Sequence, residues 1–135
     1  MKALLVGALV ALAIVDCGAL AETSPPPPLR LNAASFGQSF QVTRGQEIDV
    51  VLTDQRPVPG SARVWSASSD NPAVVRLVGE RRDAPPPRRD GTYTAIFAAR
   101  SAGSAHILLT GATTCEAMPK ASCPDRSAQV GVTVS

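Results

Sequence analysis

The chain has 135 residues, 18% of them charged and 4% aromatic, and its 13 lysines and arginines nearly cancel its 11 aspartates and glutamates, leaving a net charge of +2. That balance excludes the strongly basic surface of a nucleic-acid-binding protein, and the length suits one compact domain and not two. Plentiful proline, glycine, serine, threonine and valine, with no sustained 3.6-residue apolar period beyond Asn32, predict an all-β domain rich in turns.

The first twenty-one residues read as an export leader. Lys2 supplies a positive start and Ala3 to Val15 form an unbroken apolar run. Ala19-Leu20-Ala21 then offers a small-x-small cleavage site ahead of Glu22. The run is too short to span a bilayer, which needs about 20 apolar residues. Residues 1–21 are therefore expected to be a signal peptide, delivering the protein to the periplasm or the extracellular medium. Lipid attachment at Cys17 and a retained anchor are the alternatives. Cys17 follows Asp16, whereas a lipidated cysteine normally follows a small residue.

Residues 22–37 are expected to be a proline-rich spacer. Thr23 to Leu29 reads TSPPPPL, and proline lacks the amide donor that a helix or central strand requires. A ligand for a proline-reading domain is the other reading of such a run. Residues 38–135 then break into short alternating runs between turn signals. Ser39 to Val42 is a first strand, turned by Thr43-Arg44-Gly45. Gln46 to Leu52 is a second, with Ile48, Val50 and Leu52 on one face. Arg63 to Ala67 carries Trp65, the single tryptophan. Asp70-Asn71-Pro72 turns the chain into Val74 to Val78. Thr92 to Ala98 follows, then the Ser101-Ala102-Gly103 turn, Ala105 to Leu109, and finally Gln129 to Val134. About seven short strands with turns at regular spacing predict an immunoglobulin-like Greek-key β-sandwich. Its inner faces would pack Ile48, Val50, Leu52, Trp65, Val75, Leu77, Phe97, Ile107, Leu109, Val130 and Val132.

Three cysteines are present, and Cys17 leaves with the leader. Cys115 and Cys123 can then close a short disulfide in an oxidising compartment. Zinc is the weaker reading of this pair, because one histidine and two thiolates do not complete a tetrahedral site. No phosphate-cradling glycine loop or metal-ligand cluster is legible, and the carboxylates Asp49, Asp54, Asp70, Glu80 and Asp90 lie scattered. His106 reads as a partly exposed strand residue. The expectation is a monomeric protein that is not an enzyme, holds no cofactor or metal, and binds another protein.

Three long loops are the place for such binding. They are Asp54 to Ala62, Glu80 to Gly91 and Gly111 to Pro124. In a seven-stranded Greek key they follow the second, fourth and sixth strands and share one end. Stiffening by proline or a disulfide lowers the ordering cost of association. Three solvated loops without a partner are the plain alternative. In the middle loop, Arg81, Arg82, Arg88 and Arg89 could hold an acidic surface or a glycan, or be neutralised by the adjacent Asp83 and Asp90.

From about Phe40 to Val134 the layout resembles the chagasin-type inhibitors of papain-like cysteine peptidases. In that family three loops at one end of an immunoglobulin-like sandwich fill the peptidase cleft. The first family loop carries Asn-Pro-Thr-Thr-Gly before a tryptophan. Arg56-Pro57-Val58-Pro59-Gly60 keeps the proline–glycine spacing, with Trp65 beyond it and Val58 and Pro59 in place of the threonines. The middle family loop carries Gly-x-Gly-Gly before an aromatic strand. Gly91 matches its last glycine, preceded here by Arg88 and Arg89, and Thr92 to Phe97 and Ala102-Gly103 follow in order. The cysteine loop stands where the family has Arg-Pro-Trp. The resemblance implies partner binding by Arg56, Pro57, Val58, Pro59, Gly60, Arg88, Arg89 and Gly91. Trp65-Ser66, Asn71-Pro72-Ala73-Val74 and Ala102 to Ile107 also resemble bacterial immunoglobulin-like surface modules, which implies an adhesion or structural role without inhibition.

Overall fold

Alternating apolar side chains are what build this structure, a computed structural model describing residues 24–54, 61–83, 91–115, 119–120 and 123–135. Among the described residues eight strands follow in order: β1 (Leu29–Leu31), β2 (Ser39–Val42), β3 (Glu47–Asp54), β4 (Ser61–Ser69), β5 (Val75–Asp83), β6 (Gly91–Ala99), β7 (Gly103–Cys115) and β8 (Arg126–Val134). They form two four-stranded sheets, ordered β1-β3-β6-β5 and β2-β8-β7-β4. β1 pairs parallel to β3 and β2 parallel to β8, and the other pairings are antiparallel. This is the immunoglobulin-like sandwich, its N-terminal segment divided between the two sheets. Among the described residues no helix is long and apolar enough to cross a membrane.

The expected strands occupy their places in the expected order, and most run further than their apolar alternation. β1 is the addition. Leu29–Leu31 lies inside the stretch expected to be spacer, yet it pairs with Ile48, Asp49 and Val50, and Leu31 is buried. A 3-10 turn at Ala33–Ser35 then reverses the chain into β2, capped by the Asn32 side chain accepting from the Ala34 amide at 2.9 Å. Three residues of alternation are too few to read as a strand beside four prolines, and the neighbouring strand supplies what is missing.

The core lies between the sheets. Ile48, Val50, Leu52, Trp65, Val75, Phe97, Ile107, Leu109, Val130 and Val132 are all buried as expected, with Leu77 packed at the margin. Leu31, Val42, Tyr93 and Ala95 join them. Burying each large apolar side chain contributes about 1.5–3 kcal/mol against the entropy of ordering the strands. The β2–β3 turn needs Gly45, whose φ of 86° lies in the left-handed region.

The β5–β6 ladder carries one irregularity. Between Leu77 and Gly79 its register shifts, leaving Val78 as an extra residue. A one-residue insertion exchanges the two faces of a strand. Beyond the bulge Glu80 and Arg82 pair with the inward-facing Ala95 and Tyr93, whereas simple alternation would have aimed them at solvent.

Candidate functional site at the loop end

Strand register carries the roots of the three long loops to one end of the sandwich. Asp54 stands beside Gly91, Asp83 beside Thr92, Ser61 beside Cys115, and Arg126 beside Gly111. The two sheets are tied near that end by the Trp65 indole, which donates its Nε1–H to the carbonyl of Thr53 at 3.1 Å. The loops themselves are shorter than expected. Glu80 to Asp83 belong to β5, and Gly111 to Cys115 to β7. Of the residues expected to bind a partner, Gly91 is the buried first residue of β6. Arg56, Pro57, Val58, Pro59, Gly60, Arg88 and Arg89 lie outside the described residues.

Beneath the loops sits an aromatic and cationic cluster. The Phe36 and Trp65 rings meet at a centroid distance of 5.8 Å, and the Arg126 guanidinium lies 5.4 Å from the Phe36 centroid. Gly111 allows this packing. A Cβ there would stand 2.7 Å from Arg63 Cδ and 3.2 Å from Trp65 Cζ3. Beside the cluster, a groove of about 210 Å³ runs between the 3-10 turn and β3, lined by Asn32, Thr53, Trp65 and Arg126 among others.

On the β5 side, Arg82 and Glu80 close the mouth between the sheets. The Arg82 guanidinium sits 4.5 Å from the Tyr93 ring centroid and donates to the main-chain carbonyl of Trp65. The Tyr93 hydroxyl donates to Glu80. Burial pushes the Tyr93 phenol well above its ordinary pKa, and the Glu80 carboxylate adds to the effect. By residue pattern alone these side chains belong to a solvated arginine loop. Their inward turn depends on the Val78 bulge, which leaves no mark in that pattern.

On the β7 side, Cys115 and Cys123 form a disulfide with Cα atoms 6.6 Å apart. Asp125 accepts the Thr113 amide at 2.8 Å and the Lys120 ammonium at 2.7 Å. Lys120 also donates to the Thr113 carbonyl, and Arg63 Nε donates to Thr113 Oγ1 at 3.1 Å. The bond from Lys120, followed by the one from the Thr113 amide, holds the Asp125 carboxyl below the usual carboxylate range. The base of the third loop is thus braced by a covalent and an ionic link.

His106 lies at the far end. Asp70 accepts its main-chain amide at 2.6 Å and faces its Nδ1 at 2.9 Å, pinning the turn after β4 to β7. The amide, then the ring, holds the Asp70 carboxyl below its ordinary range. No local signal announces this pair, because it joins residues thirty-six positions apart. Among the described residues no group of three or more histidine, cysteine, aspartate or glutamate side chains could hold a metal.

No protein-family model matches the chain, and no curated protein matches it. Solved structures do. The cysteine protease inhibitor EhICP2 from Entamoeba histolytica superposes with a TM-score of 0.58 at 14% identity, covering 81% of this chain and 96% of that one. The solution structure of amebosin superposes with a TM-score of 0.59 at 16% identity, covering 81% and 99%. At such identities the likeness is one of fold: the chain has the sandwich that EhICP2 and amebosin also have, over almost their whole lengths.

Proposed function

We propose that this protein is exported, to the periplasm or the extracellular medium, and there binds a papain-like cysteine peptidase through the loop end of its sandwich, doing no chemistry itself. The observation that carries this reading is the convergence of three loop roots at one end, over a base stiffened by the Trp65–Thr53 bond, the Arg82–Tyr93 contact and the disulfide. A rigid base lowers the ordering cost of binding. The fold shared with a cysteine protease inhibitor supports the same reading. So does the proline–glycine spacing of Arg56-Pro57-Val58-Pro59-Gly60.

The test is titration of papain with the exported protein. Inhibition at micromolar concentration or below is expected. Gly60→Arg should weaken it at least tenfold, about 1.4 kcal/mol, by holding the first loop away from a cleft. A melt of the same variant separates a lost contact from a lost fold. Failure of the wild type to inhibit any papain-like peptidase at micromolar concentration would overturn the reading in favour of a surface module.

A further inference from the structure

Among the described residues, no outward strand position of the β2-β8-β7-β4 sheet carries a charged side chain, and the Asp70 carboxylate reaches its rim at His106. Burial alternates along β7, so Ser104, His106, Leu108, Thr110, Ala112 and Thr114 point outward. The registers of β2, β8 and β4 extend these rows with serine, threonine, glutamine, glycine and alanine, and set Val64 opposite Ala112. No outward position of the four strands carries aspartate, glutamate, lysine or arginine. His106 is its one titratable group, held from the rim by Asp70. The opposite sheet turns Arg30, Glu47, Asp49, Arg76 and Arg81 outward, so composition does not explain the difference. Among the described residues the large hydrophobics left exposed are Val64 at 39%, Val78 at 50% and Leu108 at 37%, and two of these three lie on the β2-β8-β7-β4 face.

We infer that two copies of this chain associate through this face, sheet against sheet, about a two-fold axis. Hydroxyl and amide groups each donate and accept hydrogen bonds, so a surface made of them complements its own copy. A surface of like charges would repel its copy, and burying unpaired charge is costly. The β4–β7 and β7–β8 ladders run without a register shift, which keeps the face continuous. Strand spacing and rise give a footprint of about 600 Å² per copy. Both copies together then bury about 1,200 Å², the lower edge of specific interfaces. The dimer is therefore weak, replacing the monomer expected from sequence at high concentration. The inference rests on strand residues of this face and on none of the loop residues, so its test stands apart from peptidase binding.

Sedimentation equilibrium of the exported protein from about 1 to about 500 µM tests this, with apparent mass expected to rise toward twice the monomer. Leu108→Lys should keep the mass monomeric throughout, and Thr110→Lys should do the same if the first variant melts abnormally. Val78→Lys, on the other sheet, should leave association intact. A wild type that stays monomeric at the highest concentration overturns the inference, whatever else the face then binds. So does a dimer indifferent to both lysine variants.

Discussion

The Arg82 guanidinium lies 4.5 Å from the centroid of the Tyr93 ring on the inner side of the sandwich, because Val78 is one residue too many for the β5–β6 ladder. A charged side chain near the end of an exposed strand thereby becomes a brace between the sheets, reaching the main-chain carbonyl of Trp65. Arg82→Ala is expected to cost about 1–2 kcal/mol, the sum of a cation–π contact and a charge-assisted hydrogen bond discounted for solvent exposure. Deleting Val78 should cost less, since Leu77 and Gly79 then pair with Phe97 and Ile96 in unbroken register and Glu80 and Arg82 stay inward. Urea melts of the two variants check the order.

Trp65 is 3% exposed and anchors the loop end from within. Trp65→Ala should destabilise the domain by about 3–5 kcal/mol, through lost burial and the cavity left behind. Trp65→Phe should recover most of the packing and leave the Thr53 carbonyl without its indole donor. A loss below about 1 kcal/mol for the alanine variant would contradict the burial of this side chain.

The Asp70 and Asp125 carboxyls, held below their ordinary range by hydrogen bonds from His106 and Lys120, contribute stability that is fully present above the unfolded pKa. That stability is lost as pH falls through the lower folded pKa. Glu47 has the opposite sign. Its hydrogen bond with Asp49, and then the Asp49 charge, raise its pKa, so its ionisation in the folded state works against stability as pH rises. Melting temperature followed from about pH 7 to about pH 2.5 should therefore fall less steeply on the acid side for Asp70→Asn than for the wild type. Glu47→Gln should melt higher than the wild type at neutral pH. A steeper acid fall in Asp70→Asn would contradict the assignment.

The Cys115–Cys123 disulfide closes a short loop, and loop-closure entropy assigns it about 2–3 kcal/mol. Cys115→Ser/Cys123→Ser should lower stability by that amount and leave the sandwich folded. Intact mass of the exported protein under non-reducing alkylation is expected to show a chain beginning at Glu22 with no alkylated thiol. A species retaining residues 1–21 would defeat the proposal of leader removal, and one alkylated at Cys115 would defeat the oxidised pair.

Period-two alternation is enough to place most of the strands. Ile48-Val50-Leu52 and Val130-Val132 can bury one face only if each run is extended, and Trp65 has no apolar surroundings except between two sheets. The two late cysteines are readable as a pair for a similarly local reason: no other cysteine lies within residues 22–135 to compete for them. Long-range pairing settled the rest. Leu29–Leu31 became a strand because β3 offered its edge, and β7 outran its apolar stretch because β4 and β8 continued beside it. The inward turn of Glu80 and Arg82, the Asp70–His106 clasp and the uncharged outward positions of one sheet all depend on register between distant segments. Register is a property of two strands at once, set where their side chains meet, and a single run of residues holds only half of it.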